Sequence, residues 1–91
     1  MVLRRLAKWQ GSVANGACPA LYCTDDPTMM IGQGKKLTTR QTAELLDVAG
    51  DEAAVAIPTE TVFRGVAKYA TEHGDDDLAG KIEEFLTARG L

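Results

Sequence analysis

Residues 59–74 limit what this chain can fold into more than any other stretch. Val62, Phe63, Val66, Ala67 and Ala70 recur at helical spacing as one broad apolar stripe, while Glu60, Arg64, Lys68 and Glu72 line the opposite side. Thr59 or Thr61 can cap the start, and Gly74 can take the left-handed conformation that closes a helix. An amphipathic helix of this kind must bury its stripe, so the rest of the chain has to supply an apolar surface for it.

That surface reads as strands. The apolar runs Ala17–Thr24 and Met29–Gln33 flank Asp25-Asp26-Pro27-Thr28, the pattern of a β-hairpin with a turn of about four residues. Pro19 cannot donate to a ladder and is expected at a strand start or on an edge. Gly32 and Gly34 suggest a bend before the strand resumes at Lys35-Lys36-Leu37. Aromatic residues are few, so Met29, Met30 and Ile31 are expected to serve as core filler.

Thr38-Thr39-Arg40-Gln41 is a capping-box start for a helix in which Ala43, Leu46 and Ala49 share a face, with Leu45 beside them, ending at Gly50-Asp51. Glu52–Ile57 alternates at Ala53, Val55 and Ile57 and reads as a short strand. The acidic Asp75-Asp76-Asp77 suits the start of a last helix, Asp76 to Arg89, with Leu78, Ile82, Phe85 and Leu86 on its inner face and Gly90 as its stop. At the other end, Val2, Leu3, Leu6 and Trp9 have helical spacing, but so short a piece can equally be extended. Residues 1–16 read as a segment free to move. The expected architecture is one α+β domain over residues 1–91: a small antiparallel sheet (hairpin plus a further strand) packed against two or three helices, the last being an additional C-terminal helix over 75–91.

The net charge of −3 argues against nucleic acid as a partner, because phosphate contacts need a basic surface; the basic residues near the start are only Arg4, Arg5 and Lys8. No apolar run approaches a membrane span, and the N-terminus lacks the apolar core of a signal peptide, so a cytoplasmic protein with free thiols is expected.

Candidate chemistry is sparse. Cys18 and Cys23 are five positions apart and point to opposite faces of a strand, and His73 is the sole histidine, too few ligands for zinc. A Cys–His nucleophile pair has no matching local signature, and His73 suits a helix C-terminus. The aspartates fit turns and caps better than a Ca²⁺ loop, and Gly32–Lys36 does not make a phosphate-binding loop. No catalytic, metal or cofactor-binding residue is assigned, no cofactor is expected, and the chain reads as non-enzymatic.

Two resemblances bear on function. Leu37-Thr38-Thr39-Arg40-Gln41-Thr42-Ala43-Glu44-Leu45-Leu46 resembles the first helix of excisionase-like and MerR-like DNA-binding proteins, so one reading is a DNA-binding protein using a helix-turn-helix-like segment at 37–72. The other covers roughly residues 17–70. Cys18-Pro19-Ala20-Leu21-Tyr22-Cys23-Thr24-Asp25, then Ile31–Gly34, Leu37-Thr38 and Glu52–Pro58, resemble a group of small actinobacterial proteins with the pattern CPTLY-T-D, VQG, VT and E-x-x-V-x-V-P. They are related in layout to BldB-like proteins associated with helix-turn-helix regulators. This chain departs from that pattern at Lys35-Lys36 and in its extra last helix. The resemblance implies a meander with helices, no enzyme activity and an accessory role beside a transcription regulator.

The leading expectation is therefore a protein-interaction module with a protein partner, itself a homo-oligomer. A small sheet leaves unpaired edges that invite another chain. Expected contact residues are Tyr22 and Met29 on the hairpin and Ile82, Phe85 and Leu86 on the last helix, which becomes a dimerisation element if it does not fold back.

Overall fold

The computed structural model describes residues 2–9 and 19–90. Strands β1 (Leu3–Lys8), β2 (Ala20–Thr24) and β3 (Met30–Gln33) form an antiparallel sheet with β2 in the centre. The α+β class is as expected, but the third strand comes from the N-terminus. Six residues are too few for a stable isolated helix. Pairing with β2, from Leu3 opposite Thr24 to Lys8 opposite Ala20, instead satisfies their backbone groups. The register slips between Arg5 and Ala7, and Leu6 at that bulge lies in the core with Leu21 and Cys23. Cys18 and the loop expected at 11–16 lie outside the described residues.

The β2–β3 hairpin forms as its residues predict. Asp26 Oδ1 accepts from the Thr28 N–H at 2.9 Å and from the Thr28 hydroxyl at 2.7 Å, and these bonds hold its carboxyl below the ordinary value of 3.8. Pro19 sits immediately before β2, where its carbonyl accepts from the Trp9 N–H. Met29 and Met30 are not core filler: they are 54% and 38% exposed. The reason is layering, since the covering helix packs mainly on β1 and β2 rather than on edge strand β3.

At Gly34 the chain bends into β4 (Lys35–Lys36), which pairs with β5 (Val55–Ala56) as a second, two-stranded sheet. A Cβ at Gly34 would overlap the Ala56 carbonyl oxygen, so this close approach requires glycine. The strand expected over 52–57 is thus cut to two residues and adds nothing to the main sheet.

Helix α1 (Thr39–Thr42) has the predicted capping box: Thr38 Oγ1 accepts from the Gln41 N–H at 3.1 Å, and Gln41 Oε1 accepts from the Thr38 N–H at 3.0 Å. It stops after one turn. Glu44 and Leu45 donate to Gln41 and Thr42 in tight i→i−3 bonds, and Asp47 takes φ 57°. The expected face of Ala43, Leu46 and Ala49 is exposed, and a short helix without packing does not extend.

Helices α2 (Thr59–Glu72) and α3 (Asp76–Ala88) form where predicted, with Gly74 and Gly90 at φ 85° and 71°. Asp75 caps α3 by accepting from the Leu78 N–H at 3.0 Å. Neither Thr59 nor Thr61 caps α2. Pro58 holds the cap position, and Thr61 turns inward to 1% exposure with its Oγ1 lacking a hydrogen-bond partner among the described residues. A buried hydroxyl left unpaired costs about 1–3 kcal/mol. Thr61→Val, which keeps the shape and removes the oxygen, is expected to raise stability by about 1 kcal/mol. Urea unfolding should show a higher midpoint at unchanged slope.

α2 lies across β1 and β2. Val66 and Tyr69 close the core over Leu6, Leu21 and Cys23, and Arg4 reaches Glu72 in an ion pair. α3 folds back along α2: Leu86 is 1% exposed, the Phe63 and Phe85 rings are 5.2 Å apart, and Arg64 links Glu60 and Glu83.

Candidate functional site

Strand pairing and one helix decide which surfaces remain free. Directly opposed residues share a face. Leu21 and Cys23 point toward α2, so the row Arg5, Tyr22, Ile31 and the row Lys8, Ala20, Gln33 point away from it; Ala20 is 1% exposed, so the free part of this second face is its Leu3, Arg5, Tyr22 and Ile31 end. Among the described residues no helix packs on that second face. Tyr22 donates to Gln33 Oε1 at 2.8 Å, which holds its half-buried ring against the sheet. With exposed Leu3 at one end, the open face combines apolar area with the two cations Arg5 and Lys8. Neither cation makes an ion pair among the described residues.

The second free surface is the segment following α1. Leu46 is 87% exposed, and Leu45 and Val48 stand about two-fifths exposed beside it. Bonds close the backbone on either side of this tip: the Leu45 N–H donates to the Thr42 carbonyl at 3.0 Å, Glu52 Oε1 accepts from the Ala49 N–H at 2.8 Å, and the Glu52 N–H donates to the Ala49 carbonyl at 3.0 Å. Its charges are all of one sign: Glu44, Asp47, Asp51 and Glu52, with no Lys or Arg between Arg40 and Arg64. The loop is an acidic mount for an apolar tip.

A cleft of about 350 Å³ lies at the end of the sheet, lined by Val2, Arg4, Cys23, Thr24, Asp25, Pro27, Tyr69 and His73. Cys23 and His73, distant in sequence, meet here. The Cys23 thiol and His73 Nδ1 each face a backbone carbonyl. The buried Cys23 thiol faces the Arg4 carbonyl at 3.6 Å, and His73 Nδ1 lies 2.8 Å from the Tyr69 carbonyl with its ring stacked on Tyr69. Among the described residues no group of three His, Cys, Asp or Glu side chains converges as metal ligands would.

The expected contact residues divide. Tyr22 lies on the open face, and Met29 is exposed beside the hairpin turn. Ile82 is half-buried, and Phe85, 39% exposed, is held between Phe63 and the Arg89 guanidinium, which lies 4.5 Å from its ring centroid. Leu86 offers no surface at all, because α3 folds back and its apolar side closes on α2. Sequence reasoning missed Leu46 as a surface group, whereas the basic residues Arg5 and Lys8 were legible as such. The acidic run around Leu46 was a readable signal, hidden by the expectation of a longer helix.

The 37–72 segment does not hold two helices joined by a short turn. Residues 43–58, including β5, separate α1 from α2. No described helix is long and apolar enough to cross a membrane. No protein-family model, curated protein or solved structure matches the chain.

Proposed function

We propose that this chain is a non-catalytic protein-interaction module that acts in the cytoplasm as an accessory to a transcription regulator and binds through its Leu45–Val48 projection. The observation that carries the binding role is Leu46, 87% exposed on a loop whose two flanks are closed by hydrogen bonds at Leu45 and at Ala49–Glu52. A leucine placed in water gives up about 1.5–3 kcal/mol that burial would return, and a loop closed at both flanks loses little freedom on docking. The regulatory role rests on the resemblance carried by Cys18–Asp25, Ile31–Gly34 and Glu52–Pro58. The net charge of −3 and the separation of α1 from α2 favour a protein partner over DNA.

Affinity co-purification of the tagged chain from its own cells, with and without nuclease, tests this reading. The native chain is expected to retain a stoichiometric protein that survives nuclease, and the Leu46→Asp variant to lose it. Proteins that disappear on nuclease treatment, with DNA eluting from the native sample, would overturn the reading in favour of DNA binding.

A further inference from the structure

The loop and the open sheet face are complementary to each other. One carries Leu45, Leu46 and Val48 among Glu44, Asp47, Asp51 and Glu52; the other carries Leu3, Tyr22 and Ile31 among Arg5 and Lys8. We infer that the occupant of the Leu46 loop is a second copy of this chain, which receives it on the outer face of β1–β2–β3. This deepens the interaction-module reading and rests on it.

Each half of the contact has the anatomy of an interface: apolar groups at the centre and charges at the rim. Tyr22 is a residue type that dominates binding energy when a neighbour covers it, and its hydroxyl already has a partner in Gln33. The opposite signs of the rims select which patch meets which. Loop against loop sets four carboxylates against four, and face against face sets cation against cation, so only loop on face is attractive. Of the two edge strands, β1 carries Arg4, Arg5 and Lys8 and a bulge, both of which disfavour pairing with a further strand there.

Charge exchange tests this. One variant carries Glu44→Lys and Asp51→Lys, whose side chains make no hydrogen bond or ion pair among the described residues. The other carries Arg5→Glu and Lys8→Glu. Sedimentation of the native chain over a concentration series should show reversible mass above the monomer, weakening with salt. Each variant alone should associate at least about tenfold more weakly, since like charges then face each other across the contact. An equimolar mixture of the two should recover the native affinity, because every loop–face pair is again opposite in sign. Circular dichroism checks that both variants fold; should the sheet variant fail, Leu46→Asp on the exposed loop must give the same loss. A native chain that stays monomeric throughout overturns the inference, as do variants that associate as strongly as the native protein or a mixture that recovers nothing. If the native chain is monomeric yet retains a different protein in a Leu46-dependent way, the second copy is refuted and the module reading stands. If Leu46→Asp changes neither mass nor retained protein, both fall.

Discussion

Leu86→Ala is expected to cost about 2–5 kcal/mol, the range for deleting a fully buried leucine. Leu86 is the largest fully buried apolar side chain among the described residues, and it sits where α3 closes on α2. A domain of this size is held by roughly 5–15 kcal/mol in all, so the variant should lose a large part of its stability. Heat unfolding should register the loss as a midpoint lowered by about 10 °C or more. Phe85→Ala is the control one position earlier. Phe85 is 39% exposed and should cost clearly less, even with its contacts to Phe63 and Arg89. Equal losses at both positions would mean that α3 does not lie on α2 as described.

Gly65→Val should be the most damaging change on α2. A Cβ at Gly65 would stand 2.5 Å from Leu21 Cδ2 and 3.1 Å from Leu21 Cβ. The Cδ2 methyl can swing aside, but Leu21 Cβ is fixed to β2, so a branched side chain must lift the helix off the sheet. Overpacking of this kind costs about 1–3 kcal/mol, and valine's gain in helix propensity over glycine, only a few tenths of a kcal/mol, does not offset it. The loss should appear in the urea midpoint. Gly65→Ala separates the two effects, because alanine gains helix propensity while meeting the same Leu21 atoms. An alanine variant as stable as the native chain would show that Leu21 yields.

Both predictions depend on packing that the residue pattern indicates only in outline. The periodicity of Val62–Ala70 located α2, and the need to bury its stripe implied a sheet. Asp25–Thr28 located the hairpin turn, and Gly74 and Gly90 marked the two helix ends. These features were legible because they depend on neighbours a few residues apart: spacing, capping, turn chemistry and backbone freedom. Gly65 looked like an unremarkable member of the helix, since the reason for it lies on Leu21, far away in the chain.

The surfaces were less legible for the same reason. Thr38 and Gln41 set the start of α1 as their types require, but its end was decided by the absence of anything for Leu46 to pack against. Leu78, Ile82, Phe85 and Leu86 shared one expected face, yet only Leu86 reached the core, because the line of contact between α2 and α3 is narrower than the apolar stripe. Residues 1–9 were balanced between helix and strand until the free edge of β2 supplied hydrogen bonds. The sequence by itself determined the α+β class, the hairpin, α2, α3 and the lack of any recognisable catalytic signature. Only the tertiary structure decided that β1 completes the sheet, that Leu86 is core, and that Leu46 and the Arg5–Tyr22–Ile31 row face outward. Local bonds fix an element's type and ends, whereas exposure depends on which distant segments come to cover it.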